Sequence, residues 1–213
     1  MIAGALIRRW GSGLSGIEFD HAGPGGPASG SSGELAVRVR NGDSAALETL
    51  CVRYRARLLK WAHGRLPAWA RERMATEDLV QETLLGLTRR IPGIDIEESG
   101  AMEAYLRVAL GNRLKDEMRR ARRRPAAASL PEDEIDDGPS PLEQAIGRET
   151  FARYEASLAA LTPADRGLVI ARLELEMGYA QIAESTGRRS PDAVRMAVSR
   201  ALVRLAEEMA SRG

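Results

Sequence analysis

Between residues 76 and 93 apolar side chains recur at Val80, Leu84, Leu87 and Ile91, an i, i+4, i+7, i+11 spacing that predicts a helix with one buried stripe. Thr76 is its expected N-cap, Glu77 and Asp78 fall in the first turn where free amide groups favour carboxylates, and Pro92-Gly93 ends the run. Asp78, Gln81 and Glu82 share the opposite face, which makes that face a candidate docking surface. A longer helix is predicted from about Ala101 to Arg123, with Leu106, Leu110 and Leu114 stacked and Arg107, Arg113, Lys115, Arg119 and Arg120 mostly off that stripe. Farther on, Thr162-Pro163-Ala164-Asp165 is a capped helix start, followed by Leu168, Ala171 and Leu175 on one face and a stop at Gly178. Tyr179, Ile182 and Ala183 then mark a short helix closed by Gly187. Ser190-Pro191-Asp192 repeats the cap, and Val194, Ala197, Val198, Ala201, Leu202 and Leu205 form an unbroken stripe behind it. Short helix, glycine turn and capped helix make a helix-turn-helix, whose second helix enters the major groove by its N-terminal end.

Composition agrees with helices throughout. Of 213 residues only 4% are aromatic, while 29% are charged and 44% hydrophobic, so a β-sandwich or barrel is excluded and the expected class is all-α. Gly, Pro and Ser fill sixteen of the first 33 positions, which predicts a disordered leader over 1–33. Residues 125–147 hold six acidic and no basic residues among prolines and glycines, which predicts a flexible acidic linker. Two helical modules, 34–124 and 148–213, are thereby set apart.

Charge changes the picture further. The net +1 of the whole chain conceals 19 basic against 13 acidic residues in 34–124, and 10 against 9 in 148–213. Five arginines stand within Arg119–Arg124 and repel one another unless an anion neutralises them, duplex phosphate being the commonest; a solvated C-terminal turn favoured by the helix dipole is the other reading. Arg188 to Arg204 carries five arginines against the single Asp192, with Arg195, Ser199 and Arg200 off the apolar stripe; an αα-hairpin with solvated arginines is the alternative there.

Candidate chemistry is sparse. One cysteine, Cys51, sits among apolar neighbours, and with His21 and His63 it makes no metal-ligand cluster, so no metal, no cofactor, no small-molecule substrate and no enzymatic activity are expected. Met1 to Ile7 is too short to span a bilayer and is followed, not preceded, by Arg8-Arg9, so the expectation is a cytoplasmic chain without membrane contact.

Two separated segments resemble the bacterial RNA polymerase sigma factors of the sigma-70 family, specifically the small extracytoplasmic-function (ECF) type. Asp78-Leu79-Val80-Gln81-Glu82-Thr83-Leu84 is similar to the region-two helix that docks on the clamp of the polymerase largest subunit. Ala104 to Arg120 resembles, without gaps, the helix that melts and reads the minus-ten element, with Tyr105 where the family usually has tryptophan. Leu161-Thr162-Pro163 onward, through Tyr179 to Glu184 and again from Val194 to Leu205, resembles region four, which reads the minus-thirty-five element; Gly187 to Asp192 is about one residue longer than the common pattern and polar where an aliphatic is usual.

The resemblance implies core-polymerase contacts at Asp78, Gln81 and Glu82. It implies minus-ten contacts at Tyr105, Asn112, Arg113, Lys115, Asp116, Arg119, Arg120, Arg122 and Arg123, after a loop near 94–101 that in the family holds a flipped base. Arg188, Arg189, Ser190, Arg195, Ser199 and Arg200 fall in the minus-thirty-five reader. Core RNA polymerase and promoter DNA are the expected partners, an anti-sigma factor is a further candidate, and the linker is either a polymerase-threading segment or a soluble tether. Two other classes stay open on the residues: a dimeric stand-alone helix-turn-helix regulator, and an RNA-binding regulator using the arginine run.

Overall fold

The computed structural model describes residues 29–67, 69–70, 75–90, 100–123 and 140–213, with backbone alone at 88, 90, 122 and 123; every element among them is helical. The leader up to residue 28, Ile91, Pro92-Gly93, most of the loop before Ala101, Arg124 and the acidic run 132–137 lie outside the described residues.

Helix α1, Ser32–Arg40, opens with a reciprocal cap: the Ser31 hydroxyl accepts from the Glu34 amide, and the Glu34 carboxylate accepts from the Ser31 amide at 2.7 Å. Regular structure therefore starts inside the expected leader, because that cap and buried Leu35 and Ala36 offset the cost of ordering. Asp43 caps α2, Ser44–Arg65, accepting from the amides of Ala45 and Ala46. In α3, Thr76–Arg90, the Ala75 carbonyl takes the first helical bonds, from Asp78 and Leu79, so Thr76 is the first helical residue instead of the cap and its side chain is buried. Helix α4, Ala101–Arg123, has the expected bounds and buries Leu106, Leu110 and Leu114. Tyr54 pins α1, α2 and α4 together: its hydroxyl donates to Glu103 at 2.5 Å and lies 2.8 Å from the Ser32 hydroxyl, all three residues being buried.

The second group begins earlier than its composition suggests. Ser140 and Glu143 form a second reciprocal cap, and with Pro141 in the first turn they start α5, Pro141–Ile146, inside the stretch expected to be flexible. Helix α6, Arg148–Ala160, follows, and the Leu158 and Ala159 carbonyls of its last turn, with that of Leu161 just beyond it, are gathered by the Arg166 guanidinium. Thr162 caps α7, Pro163–Val169, which widens into a π-helical turn at Ile170–Glu174. The expected stripe Leu168, Ala171 and Leu175 is buried, and Glu176 just beyond it holds a left-handed φ of 50°. Helix α8, Tyr179–Thr186, ends at Gly187 with φ 66°, and the Arg188 amide folds back onto the Ala183 carbonyl. Ser190 caps α9, Pro191–Ala210, by accepting from the Ala193 amide. Val194, Ala197, Val198, Ala201 and Leu205 are buried, Leu202 is partly so, and Arg204 ties α9 to Asp165 of α7 at 2.6 Å.

The two groups are not held apart. Their buried residues form one continuous core, with α7 lying across α4 and α8 against α1.

Candidate nucleic-acid and partner interfaces

Asp78 and Glu82 stand exposed on the outer face of α3, with Gln81 half-buried between them, so the candidate docking surface is open to solvent. Glu82 also accepts from Arg113 of α4 at 2.6 Å. That pair joins one residue of the candidate polymerase face to one of the candidate minus-ten residues. It is mostly solvated, and an ion pair of this kind contributes less than about 1 kcal/mol, so a phosphate can exchange into it.

Along α4, Tyr105, Asn112, Lys115, Asp116 and Arg119 recur at i, i+7, i+10, i+11 and i+14, one face of the helix, with Arg120 beside them. Asn112, Lys115, Asp116, Arg119 and Arg120 are exposed. Arg119 pairs with Asp116 at 3.4 Å and Arg120 with Glu117 at 3.2 Å, weak exposed pairs one turn apart. Tyr105 is half-buried and packs against the core, so it forms the floor of this face more than a free ring. Arg122 and Arg123 extend the backbone of the same helix to its end. Sequence reasoning missed Val108, which is exposed on this face between Tyr105 and Asn112; an apolar residue outside the leucine stripe was the signal.

In the helix-turn-helix, Arg195, Ser199 and Arg200 project outward from α9, and Arg195 meets Asp192 only at 3.7 Å. Met196 and Val203, also exposed, share their face and were likewise missed; such side chains supply apolar contact of the kind a thymine methyl accepts. Arg189 is exposed, whereas Arg188 is half-buried and its Nε has no hydrogen-bond partner. The Ser190 hydroxyl is occupied by the cap. Arg172 fixes the approach to α8, donating to the Met177 carbonyl at 3.0 Å while its guanidinium lies 4.8 Å over the Tyr179 ring.

One cluster has no counterpart in the sequence reading. Glu174, at the end of the π-helical turn, has a side chain only 5% exposed that accepts from Trp61 Nε1 at 2.5 Å, Arg65 at 2.7 Å, Arg107 Nε at 2.9 Å and the Tyr154 hydroxyl at 2.8 Å. Arg107 also donates to Glu155. Burial pulls the Arg65 guanidinium below its ordinary pKa, and burial pushes the Tyr154 hydroxyl up, with Glu174 adding to the rise. Burial would lower Arg107 too, but Glu174 and Glu155 together carry it above its ordinary value. Arg107, counted from sequence among the outward basic residues of α4, is thus neutralised within the molecule.

Among the described residues no His, Cys, Asp or Glu grouping could hold a metal ion, and no helix is long and apolar enough to cross a membrane. The chemistry this arrangement offers is recognition: two basic faces and one acidic one.

Comparison with known proteins bears on that reading. Residues 50–124 match the family described as sigma-70 region 2. Over 183 residues the chain is 31% identical to the ECF RNA polymerase sigma factor ShbA of Streptomyces griseus, covering 81% of this chain and 92% of that protein. Among solved structures, that of CnrH in complex with the cytosolic domain of CnrY is similar over 85% of this chain and 99% of that one, with 21% identity and a TM-score of 0.36, too distant to bear on arrangement or partners. An all-helical chain with a region-two match and this degree of identity over most of both lengths belongs to the ECF RNA polymerase sigma factors.

Proposed function

We propose that the chain is a dissociable specificity subunit that docks on core RNA polymerase through Asp78, Gln81 and Glu82 and reads promoter DNA with both groups of helices, acting in the cytoplasm where the polymerase works. The outer face of α4, with Asn112, Lys115, Asp116, Arg119 and Arg120 exposed beside half-buried Tyr105 and Arg113, receives the minus-ten element, and Arg122 and Arg123 at the end of the helix serve the same element. Arg195, Ser199 and Arg200 meet base edges of the minus-thirty-five element in duplex form, with Arg188 and Arg189 near its phosphates.

The observation that supports this most is the leading half of α9. Behind a glycine turn and a serine cap, Val194, Ala197, Val198 and Ala201 face inward while Arg195, Ser199 and Arg200 stand on the outside with Met196 exposed among them. Phosphate contacts position such a helix and base contacts specify. Arg195→Ala should therefore cost about 1–3 kcal/mol at matched promoters and reorder them, whereas Lys115→Ala or Arg119→Ala should weaken all promoters alike.

The test is run-off transcription with purified core polymerase over a promoter library. Transcripts whose start depends on this chain, and whose ranking shifts with Arg195→Ala, uphold the reading. A tight, palindromic footprint from the chain alone, with no effect on polymerase, would identify a stand-alone regulator instead.

A further inference from the structure

Sulfur is divided unevenly between the core and the surface. Cys51 is buried, and burial pushes its thiol up to about 12, so the thiolate that oxidants ordinarily attack first is scarce. Met102 is 5% exposed and Met177 has no exposed surface, while Met118 and Met209 are half-buried and pack against the core. Among the described residues Met196 is the one sulfur-bearing side chain that stands out in solvent, 50% exposed.

Its position matters as much as its exposure. Met196 is the sixth residue of α9, one turn behind the Ser190 cap, in the half of the helix that carries Arg195, Ser199 and Arg200. Successive residues of a helix turn by about 100°, which aims Met196 away from the buried stripe, with Ser199 and Val203 in line at i+3 and i+7 and an arginine to either side. A thioether there is a long apolar probe. Its sulfoxide is not: the added oxygen is a strong acceptor that costs desolvation against an apolar partner. Arg200, four residues on, lies within reach to donate to that oxygen and would be drawn off the DNA-facing side.

We infer that Met196 is an oxidation site that tunes promoter reading: a peroxide converts its thioether to the sulfoxide, the sulfoxide weakens engagement of the upstream element by α9, and reduction restores it. The inference rests on the reading of α9 proposed above. In the chemical step the sulfur donates an electron pair to one oxygen of the peroxide, the O–O bond breaks as the S–O bond forms, and the second oxygen leaves as water. Sulfur is oxidised by two electrons and hydrogen peroxide is reduced by two. The reverse step is carried out by methionine sulfoxide reductases, one for each sulfoxide epimer.

The test treats the purified full-length chain with hydrogen peroxide, removes the peroxide with catalase, locates added oxygen by peptide mass, and assembles the chain with untreated core polymerase for run-off transcription. Met196 should gain its oxygen ahead of Met102, Met118, Met177 and Met209, with helix content by circular dichroism unchanged. Transcription should fall at least about fourfold, the loss of one methyl-sized apolar contact, and return after both reductases act on the chain. Met196→Leu cannot form the sulfoxide, so its ratio of treated to untreated transcription should stay near one whatever its starting level, and Met196→Gln should reproduce the loss without oxidant. The inference is overturned if the core methionines oxidise before Met196, if the Met196 sulfoxide transcribes like the thioether, or if Met196→Leu loses as much to peroxide as the wild type does. An untreated chain that starts no transcript sinks the functional reading and this inference with it, whereas an active chain indifferent to the sulfoxide sinks the inference alone.

Discussion

Removing the Tyr54 hydroxyl is a sharp test of how the first group is held together. Tyr54 has no exposed surface, its hydroxyl donates to Glu103 at 2.5 Å and contacts the Ser32 hydroxyl at 2.8 Å, and Glu103 is 1% exposed. Tyr54→Phe keeps the ring and removes only the donor. A hydrogen bond to a charged acceptor contributes about 1.5–3 kcal/mol, and the carboxylate left behind has no water to replace the loss. Glu103 lies in the first turn of α4, where free amides give it partial support, so the loss should be about 2–3 kcal/mol. For a chain of this size that lowers the melting temperature by about 4–12 °C. Burial, and then Glu103, push the Tyr54 hydroxyl well above its ordinary pKa, so it stays protonated and donating, and the deficit should be the same at pH 6 and pH 9. Urea unfolding followed at 222 nm gives the difference directly. In Tyr54→Phe/Glu103→Leu the stranded carboxylate is gone as well, and at least half the loss should return. A single-variant deficit below about 0.5 kcal/mol, or a double variant as unstable as the sum of both singles, would refute the reasoning.

Cys51 should be inert in the folded chain: burial, and then Glu48, raise its thiol to about 12, so the neutral form prevails at pH 8, and an aromatic disulfide reagent should react only after urea is added. Prompt stoichiometric reaction of the native protein would contradict its placement. Asp43 has a folded pKa below its ordinary 3.8 through the Ala46 amide and Arg38, so its stabilisation is present above 3.8 and lost as pH falls through the folded value. Asp43→Asn, which keeps a capping side chain, should therefore lose less stability than the wild type on acidification from pH 5 to pH 2, and parallel acid curves would count against that. Ser190→Ala removes the cap of α9 at a cost of about 1 kcal/mol and should weaken binding to an isolated minus-thirty-five duplex about fivefold without reordering sequences, as a competition titration would show.

Much of the fold was legible because its signals are local. The bounds of α4, the serine cap and glycine turn around α8 and α9, and the buried stripes all follow from residues within a few positions of one another. Two helix starts were hidden by their surroundings: Ser31 closes a glycine-rich stretch and Ser140 an acidic one, and composition overrode the short capping pattern in both. Thr76 misled differently, since a residue able to cap can also be the first helical one when the preceding carbonyl is free to accept. The candidate faces on α3, α4 and α9 were readable as what remains after the apolar stripe is removed. Glu174 was not, because its partners Trp61, Arg65 and Arg107 are 67 to 113 residues away and nothing local separates a buried carboxylate from a solvated one.

The turn at Ile170–Glu174 carries one more residue than an α-helical turn would. Deleting a single position there would restore the ordinary phase and swing everything downstream by about 100° around the axis. Glu174 would leave its partners, and α9, proposed above to read DNA, would be re-aimed although none of its own residues had changed. In this stretch the spacing of the chain constrains variation more tightly than the identity of most side chains, so that substitutions would be tolerated where a one-codon loss would not.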